Sequence, residues 1–523
     1  MNKKQCKVTV YQADKEVYSF YEEEGTNLLE LLQDHEIHLT ASCGGHGTCG
    51  KCKIRVMDGE ILPGEEDKKF FSKEMLEEGW RLACKDYLLE DVTLDVTESA
   101  TEEFEVLSSG VSLKRETDTQ AYTYGITADI GTTTIAMQRI CLETGNVEET
   151  YTSVNRQRSY GADVLSRIQA SVNGKAERLK KLIRDDLIKG IRKLTDQGRY
   201  FTVKMVIGAN TTMVHLLMGY PCESLGSFPF SSDHLDTITG SAQKILGLTE
   251  NEFKDMEVTV CPGASAFVGG DIISGLYSVD FHKREKYALF LDLGTNGEIA
   301  VGNKDRILTG SVAAGPAFEG GKIICGTGSI PGAVCAADYE DGKLALHTIM
   351  DKPVSGICGT GALELVNEFL KNGMLDESGL LSSSDFEEGI FLGMNTQFQP
   401  VRFYQEDVRE IQLAKSAVCA GIEIMLKKAG ITPDEIDTFY IAGGFGYKLN
   451  YNKAAKIGVF PEILTEKISA EGNSCLNGLK KCILDEGGLK KMQDIKNLCE
   501  EVQLSLEEDF SSLFMERMSF QVV

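Results

Sequence analysis

The run Ala41-Ser42-Cys43-Gly44-Gly45-His46-Gly47-Thr48-Cys49-Gly50-Lys51-Cys52, answered by Cys84 in Trp80-Arg81-Leu82-Ala83-Cys84, constrains this chain more than any other feature. Four thiolates are what an iron-sulfur cluster requires. Three come from one tight loop spaced C-x5-C-x2-C and the fourth from a distant segment, close to the plant-type ferredoxin order, whose first gap is one residue shorter. Glycines 44, 45, 47 and 50 suit a backbone that curls around inorganic sulfide and turns N–H groups toward it. A zinc site more usually shows two CxxC-like knuckles, and disulfides call for a secretory leader, which the opening Met1-Asn2-Lys3-Lys4-Gln5-Cys6 does not suggest. Within the same loop Gly45 to Lys51 reads G-x4-G-K, but Cys52 stands where a Walker A loop places Ser or Thr on magnesium, so this is no nucleotide loop.

The flanking pattern predicts the host of the cluster. Residues 7–11 (KVTVY) and 16–20 (EVYSF) alternate as strands, Asn27 caps a helix with Glu30 completing a capping box, and strands at 53–57 and 92–96 follow. That order is an α+β β-grasp ferredoxin domain over residues 1–98. Residues 99–120 are polar and aperiodic and read as a linker; a mobile tether and a packed connector fit the same composition.

A length of 523 residues predicts three or four domains. The formal net charge of −25 argues against nucleic-acid binding, which needs clustered Lys and Arg. No apolar run reaches membrane-spanning length, so the expectation is a soluble, cytoplasmic protein with no membrane partner. Fifteen cysteines suit a reducing interior. Outside the quartet, Cys141, Cys222, Cys261, Cys325, Cys335, Cys358, Cys419, Cys475, Cys482 and Cys499 lack tight ligand spacing and read mostly as small buried hydrophobes.

From residue 124 an apolar strand ends in Asp129-Ile130-Gly131-Thr132-Thr133, and the pattern returns at Asp292-Leu293-Gly294-Thr295-Asn296-Gly297-Glu298. Two D-h-G-T turns suggest a duplicated unit. Glycine lets the backbone approach a phosphate, the Thr hydroxyl and N–H groups donate, and the Asp can hold hydrated magnesium. Either turn alone is weak evidence, since Gly-Thr hairpins are common. Two further clusters strengthen it: Cys358-Gly359-Thr360-Gly361 running into an amphipathic helix, and Ala442-Gly443-Gly444-Phe445 after a buried strand. Tight strand–helix packing is the alternative for both. Helices are expected over 163–197, broken at Gly174, and over 364–371 and 412–428, with a strand over 203–209. His215 reads as a satisfied core histidine. The small-residue loop 313–321 faces a cofactor or partner, or is a structural turn.

On Cys43, Cys49, Cys52 and Cys84, the Asp129 and Asp292 turns, Gly359-Thr360-Gly361 and Gly443-Gly444-Phe445, the chain resembles the reductive activators of corrinoid-dependent methyltransferases over nearly its whole length. The resemblance implies a 2Fe-2S domain joined to α/β actin-like (ribonuclease H-like, ASKHA) ATPase domains. It implies a middle domain over 121–204 that can form a homodimer and an ATPase domain over 205–523. ATP with Mg2+ would lie against Asp292, Gly294, Thr295, Asn296, Glu298, Gly359, Thr360, Gly361, Gly443, Gly444 and Phe445. Asp129, Gly131 and Thr132 form the second turn; Asp292 is preferred because it shares a long domain with the other glycine clusters, and Asp129 is kept as a relic of duplication. Some members of the wider family carry C-terminal 4Fe-4S clusters, whereas residues 489–523 here are acidic, helical in pattern and hold only Cys499.

The activity so implied is ATP-dependent transfer of one electron from the cluster to the cob(II) form of a partner corrinoid protein, restoring cob(I). The chain lacks a D-x-H-x-x-G element and a G-x-G-x-x-G loop, so the corrinoid belongs to the partner and the electron donor is external. Alternatives are an ATP-driven electron donor to another low-potential enzyme, a metabolite kinase with a redox-sensing cluster, and a ferredoxin fused to a binding module.

Overall fold

The structure is a computed structural model describing residues 4–12, 15–35, 37, 39–41, 43–97, 106–108, 122–196, 200–340, 343–521 and 523. Chain contacts divide it into two compact units, Met1–Met205 with Thr212–His234 and Gly240–Val258, and Val206–Thr211 with Leu235–Thr239 and Thr259–Val523.

In the first unit, β1 (Gln5–Gln12), β2 (Lys15–Glu23), β3 (Lys53–Asp58), β4 (Trp80–Leu82) and β5 (Val92–Asp95) form a mixed sheet ordered β2-β1-β5-β3-β4. β1 runs parallel to β5 and antiparallel to β2, as a β-grasp requires. The inward residues Cys6, Val8 and Val10 alternate with outward ones and meet Leu28, Leu31 and Leu32 of helix Leu28–Asp34 in one core. Asn27 Oδ1 accepts from Leu29 N and Glu30 N, capping that helix. The expected capping box is not completed by Glu30, whose carboxylate accepts instead from Lys175 Nζ at 2.9 Å.

Of the expected linker, residues 99–105 and 109–120 lie outside the described residues. Val106–Ser108 forms strand β6, which pairs with β9. It edges a seven-stranded sheet with β7 (Tyr124–Ile130), β8 (Thr134–Cys141), β9 (Val147–Val154), β10 (Thr202–Ala209), β11 (Ile238–Ser241) and β12 (Glu257–Val260), ordered β11-β12-β10-β7-β8-β9-β6. The helical stretch 163–197 forms Val164–Ala170 and Ala176–Leu194, kinked at Asn173 and Gly174, the latter with φ 86°. Leu179, Ile183, Leu187 and Ile191 bury one face of the longer helix, and Gly190 lets it lie directly on Met137 and Tyr151.

In the second unit, β13 (Ala288–Leu293), β14 (Gly297–Gly302) and β15 (Ile307–Val312) form an antiparallel meander. Strands β16 (Ala333–Glu340), β17 (Lys343–Thr348) and β18 (Gly356–Ile357) make a small sheet, and β19 (Ile390–Met394) and β20 (Pro400–Phe403) a hairpin. Parallel strands β21 (Thr438–Ala442), β22 (Ile468–Gly472) and β23 (Cys499–Glu501) complete a six-stranded sheet ordered β22-β21-β13-β14-β15-β23. The orders β12-β10-β7-β8-β9 and β22-β21-β13-β14-β15 are the same, which is the architecture of a duplicated unit. β23 departs from the helical expectation for 489–523: the free edge of β15 offers backbone partners, with Ile307 opposite Cys499 and Thr309 opposite Glu501.

Strand parity places the chemistry of this unit. Leu289, Leu291 and Leu293 point into a core shared with helix Gln405–Ala429, while Phe290 lies beside Gly275 of helix Gly270–Ser278 on the opposite face. Asp292 shares that parity with Phe290. Among the described residues no helix is long and apolar enough to cross a membrane.

Candidate functional site

The cluster loop is built on four left-handed glycines, Gly44, Gly45, Gly47 and Gly50, with φ between 62° and 89°. The distant Cys84 is brought in by backbone bonds: Ala83 N donates to Cys52 O at 2.9 Å, Leu29 N donates to Ala83 O, and Asn27 Nδ2 donates to Cys84 O at 3.1 Å. Cys52 and Cys84 are buried, Cys43 and Cys49 half-buried. The four thiols interact as two pairs. A hydrogen bond from Cys49 holds Cys43 low and one from Cys84 holds Cys52 low, while each donor is raised in turn. Two pairs of sulfurs brought together in this way are the four donors that two bridged irons need. No disulfide joins any of the fifteen cysteines, and eight of the eleven outside the quartet are buried.

Three of the expected nucleotide elements converge in the second unit. At the β13–β14 turn, Gly294 N donates to Asn296 O at 3.0 Å and Thr295 Oγ1 donates to Glu319 Oε2 at 3.1 Å. Gly443, with φ 90°, presses on this turn so closely that a Cβ would lie 2.4 Å from Leu293 O and 2.9 Å from Asp292 Oδ1. Gly444 meets nothing within 4 Å, leaving its face open. Phe445 stacks on Phe318 at 5.1 Å, and the Phe318 carbonyl abuts Gly359, where a Cβ would sit 1.7 Å from the oxygen. The short turn Pro316–Glu319 thus touches the Asp292 turn, the Gly443 turn and the start of helix Gly359–Lys371. Loop 313–321 was singled out in the sequence for its small residues; Phe318 and Glu319, which make these contacts, carry no local pattern that marks them.

Gly359 and Gly361 are required by backbone packing, the second because a Cβ would fall 2.0 Å from Val334 O. Thr360 is buried with its hydroxyl 3.2 Å from Cys358 Sγ.

Cross-strand pairing sets Asp292 opposite Glu298. Burial, then the charges of Asp271 and Asp292, push the Glu298 carboxyl well above its ordinary range, with a hydrogen bond from Asn296 working against them. Like charges directly opposite are unfavourable in a sheet. A proton on Glu298 or a cation among Asp271, Asp292 and Glu298 relieves them. Asp271 is a residue that sequence reasoning missed, because nothing local links it to the turn 21 residues on.

The first D-h-G-T turn lies in the other unit. Gly131 N donates to Thr134 O at 2.9 Å, closing the β7–β8 hairpin. Its carbonyls are held from behind: Asn155 Nδ2 donates to Gly131 O at 3.0 Å, Asn155 N to Thr133 O at 2.9 Å, and Arg167 Nη2 to Thr132 O at 2.5 Å. Asn155 and Arg167 are fully buried. Asp129 stands opposite Ala136. His215 is, as expected, a satisfied core histidine: its ring nitrogens lie 2.6 Å from Pro221 O and 2.8 Å from Ser232 Oγ, and burial lowers its pKa.

Family models match three segments: a 2Fe-2S iron-sulfur cluster binding domain over residues 12–88, the RACo middle region over 124–284, and the C-terminal domain of RACo, the ASKHA domain, over 286–522. A 2Fe-2S ferredoxin domain followed by an ASKHA domain is therefore the class. The chain belongs to the RACo family. It is 27% identical over 423 residues to the corrinoid activation enzyme RamQ of Eubacterium limosum, covering 76% of this chain and 70% of that one. It is 24% identical over 437 residues to a Co(II) methylated amine-specific corrinoid protein reductase of Methanosarcina barkeri, covering 76% and 77%. A solved structure of a reductive activator for corrinoid, iron-sulfur protein matches with TM-score 0.70 and 27% identity over 98% of both chains.

Proposed function

We propose that this protein is an ATP-dependent reductive activator that passes one electron to the cob(II) form of a partner corrinoid protein, regenerating cob(I). The observation that carries the reading is the full-length match, 98% of both chains, to a reductive activator of a corrinoid protein. Two relatives named for corrinoid activation and corrinoid protein reduction support it.

Cys43, Cys49, Cys52 and Cys84 hold the 2Fe-2S cluster, which supplies single electrons at a potential of about −400 mV as an order of magnitude. An electron supplied from it to cobalt would be replaced by an external donor. Cob(I) is a strong reductant, and each deficit of about 59 mV costs a factor of ten. Nucleotide offsets this only by favouring one conformational state over another. Asp292, Gly294, Thr295, Asn296 and Glu298, with Gly443, Gly444 and Phe445 and the Gly359-Thr360-Gly361 helix start, form the nucleotide site, where Asp292, with the charges of Glu298 and Asp271 around it, would hold hydrated Mg2+. Asp129, Gly131 and Thr132 form a second phosphate turn. Two fully buried polar side chains bracing its carbonyls favour this over a vestigial hairpin.

The test is anaerobic spectroscopy of the reduced protein with a cob(II) corrinoid protein from the same cell, with and without Mg-ATP. Cob(I) absorption is expected only with nucleotide. ATP turnover that depends on a small hydroxyl or carboxylate substrate, without cob(I), would replace this reading with the kinase one.

A further inference from the structure

One short segment of the first unit touches both the Asp129 turn and the cluster domain. At its start, Asn155 holds Gly131 O and Thr133 O. At its end, Gly161 O accepts from Arg167 Nε at 2.9 Å, and the same guanidinium holds Thr132 O. Gly161 lies so close to the next helix that a Cβ would fall 2.4 Å from Ser166 Cβ. Between these anchors the segment is stiff: Arg156 pairs with the buried Asp186 at 2.5 Å, and Gln157 Nε2 donates to Leu179 O at 2.8 Å. Its buried Ser159–Tyr160 end meets the cluster domain. Gln33 Nε2, buried, donates to Ser159 O at 2.8 Å, Arg178 Nη2 donates to Gln33 O, and Lys175 pairs with Glu30. Gly44, next to the cluster ligand Cys43, lies against Tyr160, where a Cβ would be 3.1 Å from the carbonyl oxygen.

We propose that residues 155–161 couple nucleotide at the Asp129 turn to docking of the cluster domain, with Asn155 and Arg167 as the positioning residues that transmit the turn's state. The proposal rests on the nucleotide reading above. A phosphate that draws the Gly131–Thr133 backbone toward itself pulls on Asn155 and Arg167. Because the segment is braced along its length, that displacement reaches Ser159 and Tyr160 as movement of one body. The affected contacts are two hydrogen bonds, one ion pair and one close backbone approach, few enough to be made and broken reversibly. Such a device would expose the Cys43 side of the cluster loop in one nucleotide state and cover it in the other. Coupling is reciprocal, so changing the docking face changes ATP affinity by the same factor.

The experiment uses the full chain with its cluster, measuring Mg-ATP affinity by calorimetry and amide exchange at 28–34 and 155–161. Wild type is expected to bind ATP and to change exchange in both segments on binding. Glu30→Lys with Gln33→Ala, far in sequence from either D-h-G-T turn, is expected to shift the ATP Kd by about fivefold or more. Asn155→Asp keeps the acceptor for Gln157 N but loses the donor to Gly131 O; it is expected to bind ATP without the exchange change at 28–34. Cluster absorption reports that each variant has folded. ATP affinity and exchange that are the same in wild type and in the docking variant overturn the coupling while leaving the nucleotide reading intact. Failure of wild type to bind ATP at all overturns both.

Discussion

The two D-h-G-T turns begin from nearly the same residues and end in different surroundings. Ile130 and Ile135 enclose four turn residues, Leu293 and Gly297 only three, so Asp129 falls opposite Ala136 while Asp292 falls opposite Glu298. One is braced through its carbonyls by Asn155 and Arg167; the other is crowded by Gly443 and joined through Thr295 to Glu319. The duplicated hairpin thus has an acid across the strand in one copy and carbonyls braced from behind in the other. Local motif sets the turn, and remote residues set its use.

The largest effect should separate the two aspartates. Asp292→Asn removes one carboxylate from the set with Asp271 and Glu298 and is expected to weaken Mg2+ dependence and ATP-supported activity by about 100-fold. Asp129→Asn, with no acidic neighbour across the strand, is expected to weaken ATP without changing the Mg2+ requirement. Titrating ATP at several Mg2+ concentrations distinguishes them, and equal Mg2+ effects in both variants would erase the contrast.

Next in size is Lys453, which braces only the Asp292 side. Its Nζ lies 2.6 Å from Glu364, 3.3 Å from Glu368 and 3.2 Å from Asp338, tying helix Tyr451–Lys456 to the Gly359 helix. Lys453→Met leaves buried Glu364 without its cation and buried Glu368 with only the exposed Lys371 at 3.7 Å, and should cost about 3 kcal/mol in denaturant unfolding of the second unit. Asn155→Leu should be milder, about 1–3 kcal/mol, for leaving Gly131 O without its donor, and should act on the first unit alone.

The gentlest slope, at most about 1.4 kcal/mol per pH unit, is a pH dependence on the Asp292 side. Asp407 accepts from Tyr404 N and from Ile324 N, and burial raises its carboxyl to about 6 against those hydrogen bonds. Between about pH 4 and 6 the folded form keeps a proton that the unfolded chain has released. Stability therefore falls as pH rises through that window, by up to about 1.4 kcal/mol per unit, and is lowest above it. Asp407→Asn should flatten the slope in denaturant titrations at fixed pH values.

Much of this was legible because the determinants are local. Cysteine spacing and four left-handed glycines announce the cluster loop, apolar runs ending in Asp-x-Gly-Thr announce β7 and β13, and Gly174 marks the kink in the long helical stretch. What escaped depends on partners far along the chain. Glu30 was expected to close its own helix cap but pairs with Lys175, 145 residues away. The strand β23 forms inside a helical pattern because β15 has a free edge. Gly359 and Gly361 also carry a packing demand from the carbonyls of Phe318 and Val334 that their anion-loop pattern does not reveal. Asn155, Arg167, Asp271 and Glu319 have no motif at all; only the fold brings them to the turns.

The most direct measurement of the central claim is an electron count. Reduced protein is mixed anaerobically with a cob(II) corrinoid protein and Mg-ATP, and the cluster and cobalt signals are followed together by electron paramagnetic resonance and absorption. One reduced cluster should disappear for each cob(I) formed, only with ATP, and not in Cys84→Ala. Cob(I) appearing without loss of the cluster signal, or cluster oxidation with no cob(I), would contradict it.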